Sequence, residues 1–385
     1  MRIAHGLLAT AVGGMLSLAP APVMAQPTAE ADVAVGKINN QYICRFDGSV
    51  SRGNVSSEAA RAAGPMGQIL HLYRNTIRGF AVRLPAQATG RSPVAELKAN
   101  NPKIAGCEQD QYVKAYVGKP GGGGGTPPAQ KVDWGVQRVG GPSTAPTGRK
   151  AWIIDTGIDF THPDLNVDQA DSRSFIRDPS PIDQNGHGTH VSGTIAACGN
   201  TIGVVGIADC APVVAVRVLD RNGRGSNSDV IAGVDYVGEF GASGDVANMS
   251  LGGGVSTLLD DAVIAAAAGG VRFTLAAGNE SDNANNHSPA RAGGRSPTDG
   301  VYTVSAFSRT GDTFASFSNY GNPPIEWAEP GVSIFSTYKG GSYATLSGTS
   351  MAAPHLAGIL MVGTVRADGT VANDPDGKPD SIGHQ

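Results

Sequence analysis

The chain has 385 residues, 40% of them hydrophobic and 16% charged, with a formal net charge of -4. That is a globular composition, long enough for two domains or one large one. It carries no block of Lys and Arg, which excludes a protein that coats nucleic acid.

Arg2 is followed by the apolar run GLLATAVGGMLSLA and then by APVMAQ. Val23-Met24-Ala25 fits the small-residue cleavage pattern, so residues 1–25 read as a secretory signal peptide. The run is too short for a membrane anchor, and Pro20 and Pro22 interrupt it. No later segment has the roughly 18 apolar residues that a span needs, so no membrane contact is expected after signal cleavage. The expected location is the external medium, with the periplasm as the alternative. Four cysteines, Cys44, Cys107, Cys198 and Cys210, allow three connectivities. The pairs Cys44–Cys107 and Cys198–Cys210 lie in different candidate domains. That favours a bridge within each pair, with four buried thiols as the other reading.

Residues 26–116 form a first structured region. QYICRF alternates as a short strand. SSEAARAAGPMGQI reads as a helix with a Ser cap, ended by Gly64-Pro65. ILHLYRNTIRGFAVRLP reads as two strands around a turn at Asn75. SPVAELKAN is a short helix opened by Ser92 and Pro93, and DQYVKAYV is a last strand. The order β-α-β-β-α-β predicts a small ferredoxin-like α+β domain. GKPGGGGGTPPAQ follows as a linker over 117–129. It is no phosphate loop, because no Gly-Lys-Ser/Thr comes after it.

From Gln130 the pattern changes. Buried strands (RKAWIID, APVVAVRVLD, DVANMS, VRFTLAA, VYTVSAFS) alternate with helices (GHGTHVSGTIAA, SDVIAGVDYVGEF, TLLDDAVIAAAAGG, SMAAPHLAGILMVG). This predicts an α/β fold: a mostly parallel, doubly wound sheet with helices on both faces over 130–385. Chemistry in such sheets lies beyond the carboxyl ends of the strands. Asp155, Asn279 and the loop after Ser250 all fall at strand ends, on that rim.

Ser350 lies in SGTSMAAPH, at a helix start where free N–H groups favour a developing anion. Pro354 is expected in the first turn of that helix. A serine needs a histidine to take its proton, and the histidine needs a carboxylate to fix its tautomer. His187, ahead of another helix, and Asp155, closing a strand, supply both. Asn279 offers an amide donor for an oxyanion together with the Ser350 N–H. His187 and His190 lack the H-E-x-x-H pattern of a zinc site. The serine frame is not Gly-x-Ser-x-Gly and the order Asp, His, Ser is wrong for an α/β-hydrolase. A binding protein that keeps the fold without activity is the rival from another class.

The segments IIDTGIDFTHPDL, NGHGTHVSGTIAA, NMSLGG, AAGNE and GTSMAAPH, in that order, resemble the signature blocks of the subtilisin-like serine peptidases, the subtilases. The details lean toward the bacterial subtilisins and the proteinase K-like branch, over about Gln130 to Met361. HLYRNTIRGFAVRLP and CEQDQYVKAY are similar to strands of the inhibitory propeptide that precedes such enzymes. The resemblance implies a secreted serine endopeptidase made as a self-processed zymogen. In it Asp155 orients the imidazole, His187 is the general base and then acid, Ser350 attacks, and Asn279 holds the oxyanion. It implies polypeptide substrates held as an added strand by Gly223, Arg224 and Gly225 on one side and by Ser250, Leu251 and Gly252 on the other. Ala276, Ala277 and Gly278 would wall the first specificity pocket. Arg224 would favour acidic or polar residues upstream of the cut, and Glu280 basic side chains. The chain's own propeptide would act as an intramolecular inhibitor, and the enzyme would be a monomer.

A structural Ca2+ site is implied as well, with the side chains of Gln130, Asp164 and Asn200 and the carbonyls of Ile202 and Val204 as oxygen ligands. The processing point falls between Tyr116 and Gln130. After Ser350, the turn-rich VGTVRADGTVANDPDGKPDSIGHQ stands where subtilases usually continue with covering helices. Its segment DPDGKPDS reads as solvated tail rather than as a calcium loop.

Overall fold

In a computed structural model, the structure describes Met1 and residues 36–86, 92–116, 127–295 and 300–385. The signal segment after Met1 and most of the linker lie outside the described residues. The chain divides into a unit Met1–Ala34 and a unit Val35–Gln385. The second unit holds everything that follows.

Its front part runs β1 (Lys37–Phe46), α1 (Val55–Ala63), β2 (Gln68–Tyr73), β3 (Gly79–Arg83), α2 (Pro93–Asn100) and β4 (Ile104–Ala115). The strands pair antiparallel in the order β4-β1-β3-β2, the ferredoxin-like arrangement. Ser92 caps α2 by accepting the Ala95 N–H. The helix α1 departs from its expected cap. It is preceded by Asn54, with Ser56 and Ser57 inside its first turn, while Gly64 ends it as expected. Cys44 and Cys107 face each other across β1 and β4 and are bonded.

The larger part begins with β5 (Lys131–Val132), α3 (Trp134–Arg138), β6 (Ala151–Asp155), β7 (Arg173–Ser174), α4 (His187–Ala196) and β8 (Val204–Val205). It continues with β9 (Val213–Arg217), β10 (Arg224–Ser226), α5 (Asn227–Phe240), β11 (Val246–Met249), β12 (Leu251–Gly253), α6 (Thr257–Ala267) and β13 (Arg272–Ala276). After these come β14 (Val301–Ser308), β15 (Thr313–Phe314), β16 (Ile325–Pro330), β17 (Ile334–Tyr338), β18 (Ser342–Leu346), α7 (Thr349–Val362), β19 (Arg366–Thr370) and β20 (Ser381–His384). The main sheet has the order β19-β20-β16-β14-β13-β11-β6-β9-β7. All neighbours from β20 to β7 pair in parallel. Side chains alternate across the pleat. Trp152 and Ile154 of β6 therefore join the core under α5 and α6, while Ala151 and Ile153 join the core under α4 and α7. Parallel strands put their carboxyl ends on one rim, which carries Asp155, Ser250 and, three residues past β13, Asn279.

Two expectations need correction. Pro354 is the sixth residue of α7, not part of its first turn. It has no N–H to give to the carbonyl of Ser350; the Ser250 hydroxyl donates to that carbonyl instead, at 2.9 Å. The C-terminal segment is folded: DPDGKPDS is largely exposed, as expected, except for Asp380, but it links two strands. β19 and β20 form a hairpin, and β20 adds to the sheet edge beside β16. All of β19 and most of the link are exposed, and the link ends in buried Asp380, which accepts the Ser305 hydroxyl at 2.5 Å. Burial pushes the Asp380 carboxyl up to about 7.

Candidate active site

The carboxylate of Asp155 and the ring of His187 meet at the rim. His187 Nδ1 lies 2.8 Å from Asp155 Oδ1 and 2.9 Å from Oδ2, and both residues are buried. Asp155 Oδ1 also accepts the Thr156 N–H at 2.6 Å. A carboxylate accepts only, so the proton between it and the ring sits on Nδ1. That leaves Nε2 as an acceptor, and it is buried without a partner among the described residues.

Ser350 is the second residue of α7 and fully buried. Its hydroxyl donates to the carbonyl of Ser250 at 2.9 Å rather than to the imidazole. Asn279 is held by its oxygen: Oδ1 accepts the Thr349 N–H and the Thr349 hydroxyl, both at 2.9 Å. Two donors on one oxygen fix the amide orientation and leave Nδ2 directed at Gly348. A Cβ on Gly348 would come within 3.0 Å of that Nδ2 and would collide with the carbonyl oxygen of Tyr116.

Tyr116 is here because β4 continues into the rim. Val113, Lys114 and Ala115 lie antiparallel between β10 and β12, with Lys114 opposite Arg224 on one side and Gly252 on the other. The Ala115 N–H donates to Gly223 at 2.9 Å and the Tyr116 N–H to Ser250 at 3.4 Å. The Tyr116 ring is 2% exposed and packs in the core that includes Ala276. A Cβ on Gly252 would collide with the phenol. Burial raises the phenol's pKa well above its ordinary value, and Glu280 adds to the effect. Gly223, Arg224, Gly225, Ser250, Leu251 and Gly252 thus flank one segment. Ser226 and Gly253, which sequence reasoning missed, pair with it as well. Lys114 Nζ lies 3.9 Å from Glu280.

The front part is held elsewhere by carboxylates. Asp110 accepts the Ser228 N–H at the start of α5, and Glu108 accepts the Ser256 hydroxyl and the Leu258 N–H at the start of α6. In the other direction, Asp235 accepts the N–H groups of Arg74, Asn75 and Thr76 in the turn after β2.

A second cluster lies away from the rim. Gln130 Nε2 is 2.9 Å from the Cys198 carbonyl, 3.2 Å from that of Val204, and 3.4 Å from both the Ile202 carbonyl and Asn200 Oδ1. Asp164 Oδ1 accepts the Asn200 amide at 2.6 Å, and Oδ2 accepts the Val204 N–H at 3.1 Å. An NH2 group has two hydrogens, so four oxygen acceptors exceed what it can satisfy. That surplus of oxygens fits a hard divalent cation. The Cys198–Cys210 bridge braces the loop. Among the described residues no group of three or more His, Cys, Asp or Glu is placed to hold a metal; this ring is built of carbonyl and amide oxygens instead. His190 is no ligand either. Its Nε2 lies 3.1 Å from the carbonyls of Ile334 and Ala344, and burial lowers it to about 3, so it stays neutral.

A model of the subtilase family (peptidase S8) matches residues 149–367. The chain belongs to this family. It is a serine-type endopeptidase, and its substrates are polypeptides. Among its relatives, Subtilisin-like protease 2 of Pseudogymnoascus destructans is 33% identical over 381 residues, 93% of this chain and 88% of that one. Subtilisin BL of Lederbergia lenta is 43% identical over 237 residues, 60% of this chain and 83% of that one. The crystal structure of a cold adapted subtilisin-like serine proteinase aligns with a TM-score of 0.55 at 35% identity, covering 65% of this chain and 97% of that one. Among the described residues no helix is long and apolar enough to cross a membrane.

Proposed function

We propose that this subtilase is made as an exported zymogen that cuts itself after Tyr116 and then hydrolyses other polypeptides at the same site. One observation carries the reading: the strand leading to Tyr116 is laid in the cleft, with the Tyr116 carbonyl oxygen and the Asn279 amide both beside Gly348. Ser350 Oγ attacks the Tyr116 carbonyl carbon as His187 Nε2 takes the hydroxyl proton. Asp155 holds the ring through Nδ1 and stabilises the imidazolium. The Ser350 N–H and Asn279 Nδ2 hold the oxyanion. The imidazolium then gives its proton to the amine of Val117, which leaves, and water releases the acyl group. For this step the Ser350 hydroxyl exchanges the Ser250 carbonyl for the ring; such contacts tighten only as the reaction complex forms. After the cut, residues 26–116 stay bound as an inhibitor through the β4 pairing and the contacts of Glu108, Asp110 and Asp235. The linker separates this propeptide from a catalytic domain at 130–385, active as a monomer. In later substrates Gly223–Gly225 and Ser250–Gly252 hold the backbone, and Ala276–Gly278 wall the pocket that takes the tyrosine. The signal pattern and two disulfides support an oxidising location outside the cytoplasm.

The test is the new N-terminus. Expressed from Gln26 in oxidising conditions with calcium, the chain is expected to release a fragment ending at Tyr116 and a larger one beginning at Val117, read by intact mass. A cut confined to the glycine linker would overturn the assignment of Tyr116.

We further propose that Gln130, Asp164, Asn200 and the carbonyls of Ile202 and Val204 hold structural calcium. The ion supplies positive charge to a ring of oxygens, and the chain supplies the loop that closes on it. With ion at a hundred times its Kd, binding adds about 2.7 kcal/mol to stability. Chelation should therefore lower the melting temperature of the uncut chain by roughly 4 °C. Differential scanning of the Ser350→Ala chain checks this without autolysis. An Asp164→Asn variant should melt low with or without calcium, and equal melting of the parent in both conditions would refute the site.

A further inference from the structure

Asp183 is a buried carboxylate, 6% exposed, to which the chemistry above gives no task. It lies in the loop ahead of α4, four residues before His187. Five donors converge on it. Oδ1 accepts the N–H groups of Asn185 and Gly186, both at 2.8 Å, and the Thr156 hydroxyl at 2.9 Å. Oδ2 accepts the N–H and the hydroxyl of Thr189, at 3.0 and 2.6 Å.

These contacts reach both halves of the Asp155–His187 pair. Thr156 follows Asp155, and its N–H donates to the Asp155 carboxylate at 2.6 Å. The Thr156 hydroxyl, which donates to Asp183, in turn accepts the N–H of Gly188, next to His187, at 2.9 Å. Gly186 and Thr189 bracket His187 on the first turn of α4. One carboxylate therefore joins the strand end that carries Asp155 to the helix start that carries His187. A simple helix cap would need only the N–H groups of that first turn. The Thr156 hydroxyl comes from a different element, and a cap has no use for it.

We propose that Asp183 is a positioning residue that fixes the His187 imidazole against Asp155 through Thr156 and the first turn of α4. This rests on the peptidase reading above. Burial raises the Asp183 carboxyl's pKa, and the hydrogen bonds from Thr189, Gly186 and Asn185 oppose that shift. Asn cannot replace it: an amide has one accepting oxygen, and its NH2 would face the N–H and hydroxyl of Thr189 or those of the loop.

The test is kinetic, on self-processed enzyme with active sites counted by a serine-reactive sulfonyl fluoride. Asp183→Asn should lower kcat about 10- to 100-fold with KM within twofold, the pattern of a misplaced group rather than of weakened binding. Thr156→Val cuts the link to the Asp155 side and leaves the cap donors in place. It should lower kcat in the same direction by a smaller factor. If Asp183→Asn does not fold, Thr156→Val alone decides. Unchanged kcat per titrated site in Thr156→Val, or a loss in Asp183→Asn that lies in KM or in the count of active sites alone, overturns the proposal. An inactive wild type would instead overturn the peptidase reading.

Discussion

Ser350→Ala is expected to leave a folded chain that never sheds its front part and that hydrolyses no peptide. The loss in turnover is about a million-fold, a figure measured in subtilisin rather than obtained from this geometry. The structural cost is small by comparison. Ser350 gives one hydroxyl bond, to the carbonyl of Ser250, and that carbonyl keeps the Tyr116 N–H. No buried acceptor is orphaned, so stability should fall by only about 1 kcal/mol. The carbonyl of Ser350 stays bonded to the Ser250 hydroxyl, so the break that Pro354 makes in α7 remains compensated. Chemistry and folding thus separate by orders of magnitude. Intact mass over time, with the melting temperature as the control, reads both. A variant that still releases the fragment ending at Tyr116 would mean that another nucleophile, or another protease, makes the cut.

The parts of this site that could be read from the sequence are those enclosed in small-residue frames. Gly348 tolerates no side chain because the Tyr116 carbonyl passes over it, and the Gly-Thr-Ser turn carries that requirement visibly. Asp155 closes an apolar run, so its place at a strand end follows from pattern alone. The antiparallel seat of β4 was legible only through family resemblance. Val113, Lys114, Ala115 and Tyr116 alternate like any strand, and nothing local says that their partners lie more than a hundred residues away in β10 and β12. Asp183 was missed for a different reason. An acidic residue just ahead of a helix is the ordinary signal of a cap, and the Thr156 hydroxyl that extends its reach comes from another strand end. The C-terminal hairpin was misread because its composition is polar and turn-rich. Only Val371, Asp380, Ile382 and Gly383 are buried there, too few to mark two strands.

Asp155→Asn is expected to lower kcat by about ten-thousand-fold while KM changes little, because it inverts the proton on the ring rather than removing a contact to substrate. The carboxylate accepts on both sides: Oδ1 takes the Thr156 N–H, and both oxygens lie within 2.9 Å of His187 Nδ1. An amide has a single oxygen to give. The Thr156 N–H is fixed by the backbone and claims that oxygen, so the NH2 turns toward the ring. Nδ1 must then accept, the ring proton moves to Nε2, and the atom that should take the Ser350 proton already holds one. Steady-state kinetics measure the loss, and 15N shifts of the imidazole report the tautomer directly. A fall of less than tenfold, or an Nδ1 that keeps its proton, would mean that the carboxylate does not set the tautomer. The same geometry predicts coupling to Asp183. Once Asp155→Asn has put the proton on the wrong nitrogen, good placement of the ring no longer helps. Adding Asp183→Asn should then cost much less than it does alone, and the double-mutant cycle should be strongly non-additive. Additive losses would place Asp183 outside the Asp155–His187 pair and return it to the status of a helix cap.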